Sequence, residues 1–114
     1  MSLNDSQIKI EEAPTLVFEI FICGDINMAK HFLAQMAADT GMCVSVDETE
    51  YVYSGGRERG MVVRIINYPR FPSTESDLSD FSHEVALSLM AYLGQETCSV
   101  VGPRTTVWLS RRDG

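Results

Sequence analysis

The chain has 114 residues, 45% hydrophobic and 22% charged, close to globular averages and far from the composition of a disordered chain. That length suits one domain able to bury a continuous core without staples. The formal net charge of -7, from 16 acidic and 9 basic residues, argues against a generic binder of nucleic acid or anionic membrane, because phosphate contacts need clustered Lys and Arg.

Residues 1–14 are mixed polar and read as a lead-in to a single domain over residues 15–114. Met1 to Gln7 carries neither a basic leader nor an apolar central run, and no apolar stretch is long enough to span a bilayer. The three cysteines, Cys23, Cys43 and Cys98, form an odd and widely spaced set, unlike a secreted disulfide scaffold. The expectation is a cytoplasmic protein, in which the Asn4-Asp5-Ser6 glycosylation triplet has no meaning.

Thr15 to Cys23 is dense in β-branched and aromatic residues, which predicts a central strand broken by Gly24-Asp25. Asp25 is a good N-cap for a helix whose face carries Ile26, Ala29, Phe32, Leu33, Met36 and Ala37, with Gly41 as its left-handed stop. Met42 to Tyr53 alternates as a second strand. Ser54 to Gly60 reads as a glycine-rich hairpin connection, and Met61 to Ile66 as the returning strand. The prolines of Asn67-Tyr68-Pro69-Arg70-Phe71-Pro72 end that strand in a loop.

Ser73 or Thr74 caps a second helix with a stripe of Leu78, Phe81, Val85, Leu89 and Leu93, closed by Gly94. Thr97 to Val101 and Thr105 to Ser110 are strand-like, forming one bent strand or a terminal hairpin. The order strand, helix, hairpin, helix, strand is the split β-α-β plan. The chain therefore resembles the ferredoxin-like superfold, an α+β β-α-β-β-α-β sandwich with an antiparallel sheet and two helices on one face, with the first strand beside the third.

Strand parity predicts what the uncovered sheet face displays. Leu16, Phe18, Ile20 and Ile22 form the continuous apolar set that meets the helices. Val17, Phe21, Val62, Ile66 and Trp108 then lie on the open side around Glu19 and Arg64, placed to pair across neighbouring strands. A contiguous apolar face of this kind marks an interface unless the terminal segments cover it. A second group combines the hairpin with the proline loop: Tyr51, Tyr53, Arg57, Arg59, Tyr68, Arg70 and Phe71 supply the aromatic and guanidinium groups that dominate binding hot spots.

Other chemistry finds little footing. The glycines of 55–60 join two strands rather than opening a helix, and no lysine follows, so they make a turn and not a phosphate loop. Cysteines and histidines are too scattered for a metal, and no cofactor fingerprint is present, so no cofactor is expected. Cys23, just before a helix start, is the one thiol positioned for thiolate stabilisation. Asp80 and His83 sit three apart on a helix, where a surface contact is expected rather than a triad.

The sequence is read as a noncatalytic binding or regulatory protein that self-associates, as a dimer, through its open sheet face, with no catalytic residues assigned. One alternative is a small enzyme or ligand-binding protein with a pocket at that face or at a subunit interface, using Glu19, Arg64, Trp108 and Tyr68. The other is an acidic effector docking on a basic partner.

Overall fold

The structure, a computed structural model, describes residues 7–112; Met1 to Ser6, with the Asn4-Asp5-Ser6 triplet, lie outside the described residues. The elements run β1 (Val17–Cys23), α1 (Ile26–Thr40), β2 (Ser45–Tyr53), β3 (Gly56–Ile66), α2 (Glu75–Leu93), β4 (Thr97–Val101) and β5 (Thr106–Ser110). The strands form one antiparallel five-stranded sheet in the order β2-β3-β1-β4-β5. The protein is thus α+β, with two helices against one sheet.

Local chemistry sets the helix ends. The Asp25 carboxylate accepts from the amides of Asn27 and Met28 at 2.8 and 3.0 Å, and the Thr74 hydroxyl accepts from Asp77 at 3.1 Å. Gly41 and Gly94 close the helices with φ of 74° and 68°, a conformation that a Cβ disfavours. The Gly41 turn consumes the segment expected to begin β2. The Met42 amide donates to Thr40 Oγ1, so pairing starts only at Ser45.

The hairpin is tighter than predicted. Only Ser54 and Gly55 lie outside the ladder, Gly55 supplying φ of 89°, and Gly56 already pairs with Tyr53. Arg57 to Gly60, read from sequence as loop, are strand. Their alternating side chains find cross-strand partners, such as Arg57 with Glu50 at 2.9 Å, which stabilises a ladder that glycine content alone disfavours. The C-terminal segment is a hairpin, closed where the Gly102 amide donates to the Thr105 carbonyl, so β5 becomes an edge strand.

The core lies between the helices and the predicted sheet face. Phe18, Ile20, Ile22, Met61, Val63, Ile65, Cys98 and Val100 pack against Leu33, Leu78, Val85, Leu89 and Met90. Burying each such large aliphatic contributes about 1.5–3 kcal/mol. On α2 the stripe is shifted from the prediction. Ser82, Ala86 and Met90 are buried while Phe81 and Leu93 are only partly covered; Ser82 is tolerated because its hydroxyl donates to Leu78 O at 2.7 Å. His83 Nδ1 lies 2.6 Å from the Ser79 carbonyl oxygen rather than engaging Asp80. No helix of the described residues is long and apolar enough to cross a membrane.

Candidate functional site

The register Glu19↔Arg64↔Ser45 fixes the uncovered face. On it Arg64 Nε donates to Glu19 Oε2 at 2.7 Å, the pairing expected from strand parity, and Arg64 also bonds Asp47, which sequence reasoning missed because it depends on the register of β2. Hydrogen bonding to Glu19 leads the effects that raise the Arg64 pKa, so the guanidinium stays charged at any ordinary pH. Phe21 is half-buried beside this triad. Trp108, opposite Ser99, is 63% exposed at the β5 edge, and Val17 and Ile66 are exposed at the other end of the face.

The hairpin and proline-loop residues do not form one cluster. They sit at opposite ends of β3, whose eleven residues span roughly 33 Å at the usual strand rise. Tyr51 and Tyr53 share the open face. Arg57 points to the helix side of the hairpin and is occupied by Glu50. Tyr68, Arg70 and Phe71 belong to the far loop, where the Tyr68 hydroxyl lies 3.3 Å from Cys43 Sγ and the Arg70 guanidinium lies 5.8 Å from the Phe71 ring centroid.

The densest group of chemically active side chains is at the hairpin end of the open face. Period-two alternation brings Tyr51, Tyr53, Glu58, Gly60 and Cys23 to one side, on three adjacent strands. The Tyr53 hydroxyl donates to Glu58 Oε1 at 2.6 Å. That bond, joined by one from Cys23, holds the Glu58 carboxyl below its ordinary range, so it is ionised at neutral pH. The same bond raises the Tyr53 phenol. Burial first, and Glu58 second, push the Cys23 thiol up to about 11. Burial above all, with the Glu58 carboxylate adding to it, therefore keeps the Cys23 thiol protonated and outweighs its position just before α1.

Tyr51 lies across β3, its hydroxyl donating to the Met61 carbonyl at 2.6 Å, and burial pushes its pKa up to about 12. Gly60 makes this possible, since a Cβ there would fall 2.5 Å from Tyr51 Cε2. On the opposite side of the same sheet end, a polar cleft of about 270 Å³ runs between the start of α1 and the hairpin, lined by Asp25, Asn27, Glu48 and Arg59. Glu58 was missed from sequence because residues 54–60 read as a loop, for which parity has no meaning. The two-residue turn Ser54-Gly55 was the available signal.

Comparison with known proteins gives a fold likeness. No protein-family model and no curated protein matches the chain. Among solved structures, a phage SAM lyase in its apo state superposes with a TM-score of 0.71 at 14% identity, over 87% of this chain and 91% of that one. A phage SAM lyase in complex with S-methyl-5'-thioadenosine superposes with a TM-score of 0.62 at 14% identity, over 92% and 96%. At this identity the likeness shows the fold. It corrects the expectation of a noncatalytic binding protein, because both of these structures, matched along nearly their whole length, are of a lyase. The alternative, a small enzyme or ligand-binding protein with a pocket at the open face or at a subunit interface, is the reading carried forward.

Proposed function

We propose that the protein binds an S-adenosyl sulfonium compound at the hairpin end of its open sheet face and cleaves it, releasing S-methyl-5'-thioadenosine. The observation that carries the reading is the Tyr51-Tyr53-Glu58 group on a fold of SAM lyase type. SAM bears a sulfonium and an ammonium against one carboxylate, and a chain of charge -7 attracts a net cation. The two tyrosines offer π faces for an adenine ring or a sulfonium. Glu58 accepts from the Tyr53 hydroxyl and from Cys23, and the remaining lone pairs of its two oxygens can take ribose hydroxyls or the ammonium.

In a lyase step the bond between sulfur and the aminobutyrate γ-carbon breaks, and sulfur keeps both electrons to become a neutral thioether. As that bond breaks, the fragment's own carboxylate oxygen bonds to the γ-carbon to give a lactone, or the β-proton passes to a base and its C–H electron pair forms the alkene. Charge disappears from sulfur in either course, so an apolar, water-excluding environment at the sulfur favours the transition state over the ground state, and the tyrosine faces are assigned to the adenine ring rather than to the sulfonium. An anionic group there would favour the ground state. We therefore assign Glu58 to the hydroxyl or ammonium end of the substrate, with Tyr53 as its positioning residue.

We also read β2-β3-β1-β4 as the ferredoxin-like split β-α-β arrangement with β5 appended, and the protein as cytoplasmic. A neighbouring copy seated on the apolar part of the open face, with Val17, Ile66 and Trp108, would close a site that is shallow in one chain.

The test is incubation of purified protein with SAM and quantitation of methylthioadenosine by mass spectrometry, alongside thermal shift with methylthioadenosine itself. Product above the spontaneous background is expected, with Glu58→Gln and Tyr53→Phe each lowering turnover by roughly tenfold or more. Absence of both product and thermal shift at millimolar ligand defeats the proposal.

A further inference from the structure

We infer that the proline loop at the far end of the sheet forms a second binding site, one that takes a small monocarboxylate with an aromatic or aliphatic body. The site is a cavity of about 240 Å³ with buried Leu78 as part of its lining, together with Ile66, Cys43 and the loop residues Tyr68, Arg70 and Phe71. Its base is built. Asn67 is buried, its Nδ2 donating to the Pro14 carbonyl at 2.9 Å while its Oδ1 accepts from the Ser73 amide at 2.8 Å, so one side chain ties the end of the loop to its start and the start to the segment before β1. Pro69 and Pro72 further limit its conformations.

Three groups on this pinned loop lack the partners that their chemistry favours. Arg70 makes no salt bridge among the described residues, in a chain where four other arginines do. The Tyr68 hydroxyl is directed at Cys43 Sγ, a weak acceptor that a carboxylate oxygen would outcompete. Phe71 leaves 74% of its surface in water beside an apolar cavity. A carboxylate supplies the acceptor for both Arg70 and Tyr68, and an apolar body covers the cavity wall and the Phe71 ring.

Charge decides against the alternatives. The cavity lining contains no acidic residue to hold a cation. A dianionic phosphate would meet one guanidinium for its two charges. A single negative charge matches a single arginine.

The site lies at the opposite end of β3 from Tyr53 and Glu58, so its failure and that of the SAM reading are distinguishable. The probe is 3-phenylpropanoate, with neutral 3-phenylpropanamide as comparator, titrated by calorimetry and by amide NMR at neutral pH. The carboxylate should bind roughly tenfold tighter or better than the amide, as charge-assisted hydrogen bonds allow. It should shift the amide signals of Cys43, Tyr68 and Phe71 but not those of Tyr53 or Glu58. Arg70→Gln should erase the preference for the carboxylate, and Tyr68→Phe should reduce it several-fold.

Alkylation of Cys43 by iodoacetamide, followed by peptide mass spectrometry, gives a second readout and should slow several-fold when the probe is bound. Equal binding of acid and amide overturns the inference. So do shifts confined to the hairpin end, or no perturbation and no Cys43 protection at millimolar probe.

Discussion

Replacing Gly60 with alanine tests the close approach of strands on which the hairpin-end site is built. The added Cβ would stand 2.5 Å from the Ile22 carbonyl oxygen, 2.5 Å from Tyr51 Cε2 and 2.9 Å from Cys23 Cα. A side-chain rotation can relieve only the tyrosine contact. The other two are with β1 backbone, so β1 and β3 must separate locally. Overpacking of this kind costs about 1–3 kcal/mol, and displacing the Tyr51 hydroxyl from Met61 O adds about 1 kcal/mol, for a total of about 2–4 kcal/mol.

With a urea m-value of about 1–2 kcal/mol/M for a domain this size, the unfolding midpoint should fall by about 1–4 M. Gly41→Ala is the control. Its φ of 74° makes alanine strained, yet nothing lies within 4 Å of the added atom, so the cost should be about 1–2 kcal/mol. Adding Tyr51→Ala to Gly60→Ala removes one of the three contacts and should show only partial coupling in a double-mutant cycle. A Gly60→Ala protein within about 0.5 kcal/mol of the parent refutes the reasoning.

Further outcomes follow from other contacts. Gly56→Ala brings a Cβ to 2.9 Å from the Tyr53 ring, the far end of a mobile side chain, so stability should change by less than about 0.5 kcal/mol. The Tyr53 bond to Glu58 should nevertheless break, and methylthioadenosine affinity measured by calorimetry should fall. Asn67→Ala removes partners of the Pro14 carbonyl and the Ser73 amide, and should cost about 2–4 kcal/mol by urea unfolding, with hydrogen exchange accelerated at Ser73.

Burial pushes the Cys98 thiol up from 9.0 to about 11, so the folded state holds this proton more tightly than the unfolded chain. The corresponding stability is complete below pH 9 and is lost as pH rises toward 11, by about 2–3 kcal/mol for this group; Cys98→Ala should make that stretch of the curve shallower, with the slope that Cys23 contributes remaining. Arg64→Ala should lower the midpoint by leaving Glu19 and Asp47 facing each other across β3. The deficit should shrink in 1 M salt, where the screening length is about 3 Å.

The sequence by itself determined the two helices, because Asp25, Gly41 and Gly94 act within a turn of their own positions and the apolar spacing needs no distant partner. It also determined which face of β1 meets the helices and that Glu19 and Arg64 meet on the other. Period-two alternation carries that information wherever strand limits are known. Those limits were where it ran out. Residues 57–60 look like a loop by composition and become strand through pairings with Thr49 to Val52, which are contacts set by register rather than by local preference.

With that extension Glu58 and Gly60 gained a face, and the hairpin-end group came into being. The same extension separated two aromatic-arginine clusters that are 15 residues apart in the chain, from Tyr53 to Tyr68, but stand at opposite ends of the sheet. Only the tertiary structure decided that Cys23 sits against Glu58 and stays a thiol, and that Tyr68 faces Cys43 across the proline loop. In each case the chemistry depends on a neighbour brought in from another strand or loop. No local pattern encodes that neighbour.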